Sequence, residues 1–295
     1  MMKKDNLHTI SLLLPTRKRK KLVTRLFKSI IKNTANLGLI EIILYVDDDD
    51  KESQSITEPK LNIKKIIGPR KSMGACNTDC FMLSKGQIIM LINDDMIIRT
   101  KNWDEYIMNL HNKFNDRIYL AYGNDLMKKS TLCTFPIISR KFCNLIKYPF
   151  PIEYKGAFID THLFDIFQRI KKLGSDRILY EERLIVEHMH YRLGKSTKDS
   201  TYTDRNRFAD DAPFHALQKY RSNLALELHL HITKKNKIYC NKQFDFLPEN
   251  FLNKFYFFTK SYLLNHKIDF KWRFYLWYWS TLREIFVKFS RLRIK

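Results

Sequence analysis

QIIMLINDDMII, residues 87–98, is the stretch that decides the fold. Apolar residues run unbroken through Ile88, Ile89, Met90, Leu91 and Ile92, stop at Asn93-Asp94-Asp95, and resume at Met96-Ile97-Ile98. An unbroken apolar run implies burial on both faces, as in a central strand of a parallel sheet. Open α/β sheets bind ligands at the carboxyl ends of their strands, and this strand brings two acids there. Adjacent carboxylates repel each other, so keeping both ionised requires a cation or access to solvent. Taken alone, Asp-Asp also fits a solvated loop after a buried strand. The rest of the chain has to decide between the two.

Upstream, residues 8–14 (HTISLLL) read as a strand ending at Pro15-Thr16, followed by the basic run Arg17-Lys18-Arg19-Lys20-Lys21 and a helix over about 22–33. A second buried strand, 40–46, also ends in acids, Asp47 to Asp50. A weaker third strand over 63–67 leads through GPRKSMG into a helix over 75–83, with Gly86 beyond its end. Strands alternating with helices predict an α/β fold with a parallel sheet and right-handed crossovers. Asp47 and Asp48 in isolation suit a solvated turn. Two acid clusters at the carboxyl ends of strands in one Rossmann-like half share a crevice, which favours a site. No G-x-G-x-x-G follows the first strand and no G-x-x-x-x-G-K-[ST] occurs, which argues against a dinucleotide or P-loop enzyme.

At 295 residues the chain is long enough to bury a full core, as one large α/β domain with an appendage or as two domains. A hydrophobic content of 44% and only 8 Gly and 8 Pro indicate a folded chain without low-complexity linkers. The net charge of +22 predicts attraction to polyanions: nucleic acid, an acidic membrane surface or phosphate-bearing substrates. Cys76, Cys80, Cys133, Cys143 and Cys240 show no paired zinc spacing, and Cys76 and Cys80 read as small core residues one helical turn apart. A reducing, cytoplasmic compartment fits best. The amino terminus lacks a cleavage site, and no window reaches the roughly 18 apolar residues of a spanning helix.

Four motifs together carry a family resemblance: PTRKRK after strand one, YVDDDD after strand two, GPRKSMGACNTDC before a helix, and KGQIIMLINDDM. In this order they resemble the nucleotide-sugar-binding half of a GT-A glycosyltransferase of the family 2 type, and are similar to bacterial and phage members in which a Trp-Asp pair, here Trp103-Asp104, follows. FIDTHLFDIFQRIKKLG (158–174) and VEHMHYRLGKSTKDSTY (186–202) extend the resemblance to roughly residues 8–205. The resemblance implies a Rossmann-like, mostly parallel central sheet flanked by helices. It implies that Asp95 holds Mn²⁺ or Mg²⁺ on the diphosphate of a nucleoside-diphosphate sugar, that Asp47 with Asp48 beside it binds the nucleobase, and that Thr16 and Arg17 touch base and ribose. Asn93 stands where the family's first acid often stands, a departure from which the resemblance implies that Asp94 shares the metal work. Asp160 matches the general base near the acceptor and His188 a late histidine that reaches metal or diphosphate.

The chemistry suits these residue types independently of the family. A departing diphosphate gains negative charge that a carboxylate-held cation neutralises, and an acceptor hydroxyl has to give up a proton, for which an ionised carboxylate is the simplest base. Asp160 is the candidate, with Asp165 its competitor five positions on; Asp160 also suits a helix amino terminus. His188 and His190 in HMH point the same way in a strand, as metal ligands do, although a hydrogen-bonded core histidine fits equally. Arg70 and Lys71, preceding a helix start, read as donor-phosphate contacts.

From residue 208 the chain changes character, giving an expected division into 1–207, catalytic, and 208–295, a helical, aromatic-rich and basic extension. Residues 224–232 form a mixed segment. Tyr275, Tyr278, Leu282, Ile285, Phe289 and Leu292 recur at three- and four-residue steps, with Arg273, Arg283, Lys288, Arg291 and Lys295 largely off that stripe. This predicts an amphipathic helix, lying on an anionic membrane or docked on its own domain or a partner chain. The expected function is a metal-dependent, inverting glycosyltransferase acting in the cytoplasm or on the cytoplasmic face of the membrane, on a glycan or lipid-linked acceptor. The alternatives are a sugar-nucleotide nucleotidyltransferase, against which the first loop speaks, and a basic nucleic-acid-binding protein, which leaves the strand-end acids unexplained.

Overall fold

The computed structural model describes residues 9–197, 199, 206–239 and 241–292, with side chains as far as residue 289. His8, Cys240, Lys295 and residues 198 and 200–202 of the last resembling motif lie outside the described residues, as do the side chains of Arg291 and Leu292. The chain divides into two compact units, Met1–Leu163 with Ile178–Arg205, and Phe164–Arg177 with Asn206–Lys295.

The first unit is built on a sheet of eight strands: β1 (Ile10–Thr16), β2 (Ile40–Asp47), β3 (Asn62–Gly68), β4 (Ile88–Leu91), β5 (Met96–Ile98), β6 (Leu120–Asn124), β7 (Ile137–Ser139) and β8 (Ile178–His188). They lie in the order β3-β2-β1-β4-β7-β6-β8-β5. The half from β3 to β4 is parallel throughout, and β1, β2 and β4 are buried on both faces, as their apolar runs require; Ser11 and Glu41, the polar residues inside β1 and β2, are buried against each other, with Ser11 Oγ donating to Glu41 Oε1 (2.5 Å). Beyond it the sheet is mixed: β7 runs antiparallel to β4 and β6, β6 parallel to β8, and β5 antiparallel to β8.

Met96-Ile97-Ile98 does not continue β4. The chain turns after Asp95, with Met96 N–H donating to the Asn93 carbonyl (3.3 Å), and β5 pairs with β8 so that Met96 lies opposite His188. Helix α1 (Lys20–Asn33) buries Val23, Leu26, Phe27 and Ile30, three and four positions apart, against the sheet. After the short α2 (Lys51–Gln54), α3 (Met73–Leu83) carries Cys76 and Cys80 on its buried side. The Trp103-Asp104 pair at the start of α4 (Trp103–His111) is a clasp: Trp103 Nε1 donates to Thr34 Oγ1 (2.8 Å), and the Asp104 carboxylate accepts from the N–H groups of Ala35 (2.9 Å) and Asn36 (3.0 Å) beyond the end of α1. The short α5 (Arg140–Ile146) follows β7, and α6 (Ile159–Lys172) precedes β8.

The second unit holds the end of α6, then α7 (Asp211–Ala216), α8 (Gln218–Lys234), α9 (Phe251–Phe258), the wide π turn Thr259–Leu263, and α10 (Phe270–Leu292). The segment read as mixed from the sequence is helical, with Tyr220, Arg221, Leu224, Ala225 and Leu228 buried along one side of α8. The buried face of α10 also differs from the expected stripe. Trp272, Leu276 and Ser280 are buried, while Tyr278 and Phe289 are exposed. Aromatic residues occur on every side of this helix, so periodicity cannot choose the face. The choice is made by Trp272, whose Nε1 donates to Asp165 Oδ1 (2.9 Å) and whose ring packs on Phe164.

Candidate active site

The carboxyl ends of β1, β2 and β4 open into a cavity of about 360 Å³ within the first unit. Its floor is the Asp94-Asp95 pair, both side chains buried. Asp94 is fully occupied: Thr16 Oγ1 donates to Oδ2 (2.7 Å) and Arg19 Nη1 to Oδ1 (2.8 Å). Burial pushes the Asp94 carboxyl up to about 6, with Arg19 pulling it down and neighbouring Asp95 pushing it up. Asp95 has His188 Nε2 at 3.4 Å from its Oδ2. That approach is fixed by the backbone, because the Met189 N–H donates to the Asp95 carbonyl (2.7 Å). His190 lies beyond, its ring 5.1 Å from that of His188, and burial together with His188 lowers it to about 4.

The acidic run after β2 is divided: Asp47 and Asp50 are buried, Asp48 and Asp49 exposed. Arg17 Nη1 donates to Asp47 Oδ2 (2.6 Å) and Nη2 to Asp49 Oδ2 (2.7 Å), while Asp50 caps α2 and accepts from the Lys18 N–H (2.5 Å). These acids hold the loop between β1 and α1 over the cavity. Arg17, Asp47, Arg70 and Lys71 line one wall, and Lys71 pairs with Asp79 (2.7 Å). Asp48 is exposed and does not line the cavity; its N–H donates to the Gly68 carbonyl (2.8 Å) and its carbonyl accepts from Gln54 Nε2 (2.9 Å) and Lys51 Nζ (3.1 Å).

The far wall is the segment from Lys155 to Asp160. Phe158 adopts a left-handed backbone (φ 70), a costly conformation for a bulky residue, and it turns the chain into α6 with Asp160 in the first turn. Asp160 Oδ1 accepts from the Thr161 N–H (2.6 Å), which fixes the carboxylate locally; α6 starts one residue earlier, so Asp160 lies within its first turn and is not its N-cap. Asp165 belongs elsewhere. It is wholly buried in the second unit, gripped by Arg169 Nε (3.0 Å), Arg221 Nε (2.6 Å) and Trp272, and it does not line the cavity.

Thr16, Arg17, Asp47, Arg70, Lys71, Asp94, Asp95, Asp160 and His188 thus meet in one cavity, from six separate stretches of chain. Sequence reading missed Arg19. Its guanidinium is buried and joins Asp94 to Asp199, with Nε and Nη2 donating to that carboxylate (2.7 and 2.8 Å). Nothing in the run of basic residues singles it out: only the helix start at Lys20 shows that Arg19 occupies the N-cap position of α1, where it makes no capping bond.

No family model matches the sequence, and no curated protein matches it. Solved structures do. Mannosyltransferase PcManGT from Pyrobaculum calidifontis, in complex with GDP-Man and Mn²⁺, aligns over 99% of this chain and 82% of its own with a TM-score of 0.52 and 11% identity. The 1–349 portion of S. aureus TarS, in complex with UDP-GlcNAc, aligns over 77% of this chain and 74% of its own with a TM-score of 0.54 and 15% identity. What the chain shares with them is the GT-A fold.

Proposed function

We propose that this protein is a metal-dependent glycosyltransferase that moves a sugar from a nucleoside diphosphate to an acceptor hydroxyl. The observation that carries the reading is the buried Asp94-Asp95 pair at the carboxyl end of β4, with His188 Nε2 3.4 Å from Asp95, in a cavity that also holds Asp160. The fold shared with PcManGT and TarS, which bind GDP-Man with Mn²⁺ and UDP-GlcNAc in their structures, supports the same class of donor.

The donor set fits a divalent cation. A carboxylate oxygen and an imidazole nitrogen at 3.4 Å suit two ligands of one ion. Among the described residues no three His, Cys, Asp or Glu side chains cluster to hold a metal alone. A site of that kind is completed by substrate phosphates, the habit of Mg²⁺ and Mn²⁺ sites on nucleotides. Bound by Asp95 and His188, the cation neutralises charge on the leaving diphosphate.

The remaining roles belong to the chain. Arg70 and Lys71, ahead of the amino end of α3, receive the phosphates. Arg17, held by Asp47, and Thr16 border the place of base and ribose. Arg19 offsets part of the cost of burying the Asp94 carboxylate and holds it in place beside Asp95, the acid that would meet the cation. Asp160 accepts the proton of the acceptor hydroxyl as it attacks the anomeric carbon opposite the diphosphate, which gives inversion. A glycan or lipid-linked acceptor at the cytoplasmic face of a membrane suits the basic surface and the buried thiols of Cys76, Cys80 and Cys143.

The test is thermal unfolding of the protein with a panel of nucleoside diphosphates and their sugars, with and without Mn²⁺. A nucleotide present at a hundred times its Kd stabilises the fold by roughly 2.7 kcal/mol, a readily measured rise in Tm. No stabilisation by any nucleotide in the presence of Mn²⁺ would remove the reading.

A further inference from the structure

Helix α10 has two apolar faces. Trp272, Leu276 and Ser280, four positions apart, are buried in the second unit. Phe270, Phe274 and Tyr278 have the same spacing but are displaced by two positions, about 200° around the helix, and are 62%, 45% and 51% exposed. One face is covered by the protein and the other is not.

The exposed rings form a continuous surface. Phe274 stacks between Phe270 (6.4 Å) and Tyr278 (6.1 Å) and meets Trp277 (5.8 Å), which in turn meets Phe255 of α9 (6.1 Å). Single exposed apolar side chains need no explanation, whereas a contiguous patch marks an interaction surface. The charge on the same stretch is one-sided. Over residues 251–289 the cations Lys254, Lys260, Lys267, Lys271, Arg273, Arg283 and Lys288 stand against only Asp269 and Glu284. Glu284 is taken by Lys254 (2.8 Å), while among the described residues Lys260, Lys267, Lys271 and Lys288 pair with no carboxylate.

We propose that this face is a docking surface for an anionic lipid bilayer, with α10 lying along the interface. Its rings enter the headgroup boundary, where aromatic side chains settle, and the lysines around them meet lipid phosphates and carboxylates. Leu252, on the helix of Phe255, and Leu264, just before α10, are also exposed; they gain from hydrocarbon and have nothing to stack on in a nucleic acid. A second copy of the chain is disfavoured by charge, since a two-fold contact through this face sets its unpaired lysines against each other. The surface is independent of the reaction proposed above.

The experiment is flotation of the full-length protein with vesicles of phosphatidylcholine alone or mixed with phosphatidylserine, at low and high salt. The expected result is binding to phosphatidylserine vesicles that salt weakens. The Phe270→Ser/Phe274→Ser/Tyr278→Ser and Lys260→Glu/Lys267→Glu/Lys271→Glu variants should bind roughly tenfold more weakly with unchanged unfolding midpoints, because these side chains are exposed. If the triple ring variant unfolds early, Phe274→Ser alone decides, and it should also float less. Failure to float with phosphatidylserine vesicles, or undiminished flotation of the variants, overturns the proposal. A dimer in light scattering that the ring substitutions dissociate, without vesicle binding, would assign the face to a second copy. RNA binding that the lysine variant loses, without vesicle binding, would assign it to nucleic acid.

Discussion

His188 Nε2 stands 3.4 Å from Asp95 Oδ2 through strand register and not through nearness in the chain. β5 leaves the turn after Asp95 and pairs antiparallel with β8, placing Met96 opposite His188, so the acid and the imidazole end on the same sheet edge. If both hold one cation, Asp95→Ala and His188→Ala should each abolish the Mn²⁺-dependent part of nucleotide binding, and the double variant should lose no more than either single one. Calorimetric titration of Mn²⁺ with nucleoside diphosphate present measures this. Independent, additive losses would mean that the two residues serve different ends.

Asp160→Asn should bind donor as the parent does and lose about 10²–10⁴-fold in kcat. The amide oxygen can still accept from the Thr161 N–H, so the start of α6 keeps its geometry while the proton acceptor is gone. Donor affinity and turnover measured on the same preparation separate the two effects. Undiminished kcat would take the base role from Asp160.

Gly74 lies where α3 touches the loop that carries the far wall of the cavity. Its N–H donates to the Tyr154 carbonyl (3.0 Å), and a Cβ there would fall 1.9 Å from the Pro151 carbonyl oxygen. Backbone on both sides leaves no flexible side chain to give way. Gly74→Ala is therefore expected to cost about 1–3 kcal/mol and to displace the segment leading to Asp160, lowering turnover as well as Tm. Parental values of both would show that the contact relaxes freely.

Two buried groups of the second unit predict acid lability in separate pH windows. His215, bonded through Nδ1 to the Tyr262 hydroxyl (2.8 Å), is pushed down to about 3 by burial and by the nearby cations Arg221, Arg283 and Lys254. Unfolded histidine titrates near 6.5, so between about 6.5 and 3 the unfolded chain binds a proton that the folded one refuses, and stability falls as pH falls. The limiting slope is about 1.4 kcal/mol per pH unit, and His215→Gln should remove it. Denaturant midpoints at pH 7 and pH 5 check this; parallel losses in parent and variant would exclude His215 as the source. Asp165 is held down at about 2 against the effect of burial by Arg169 and Arg221, so its contribution is complete above the unfolded carboxylate range and is lost only as pH falls towards 2. At neutral pH, Asp165→Asn leaves two buried guanidinium groups without their anion and should cost roughly 3–5 kcal/mol.

The amino-acid order by itself determined the parallel half of the sheet. The run that became β4 is apolar on every residue and those that became β1 and β2 are broken inside only by Ser11 and Glu41, a pattern that strands covered on both faces show; the acids after β2 and β4 mark their carboxyl ends. The helical spacing that became α1 was legible for the same local reason, and so were the candidate acids of the cavity. What tertiary structure alone decided are the relationships that depend on register and on competition for burial. Whether His188 meets Asp95 depends on a pairing between β5 and β8 that no spacing encodes. Arg19, lost in a run of basic residues, differs from its neighbours only in finding Asp94 and Asp199 inside the fold. Asp160 and Asp165 are equivalent as sequence, five positions apart, until the chain sends one to a cavity wall and the other into the grip of Arg169, Arg221 and Trp272. The same contact set the buried face of α10, because a helix with aromatic residues all round has no preferred side until one of them finds a partner.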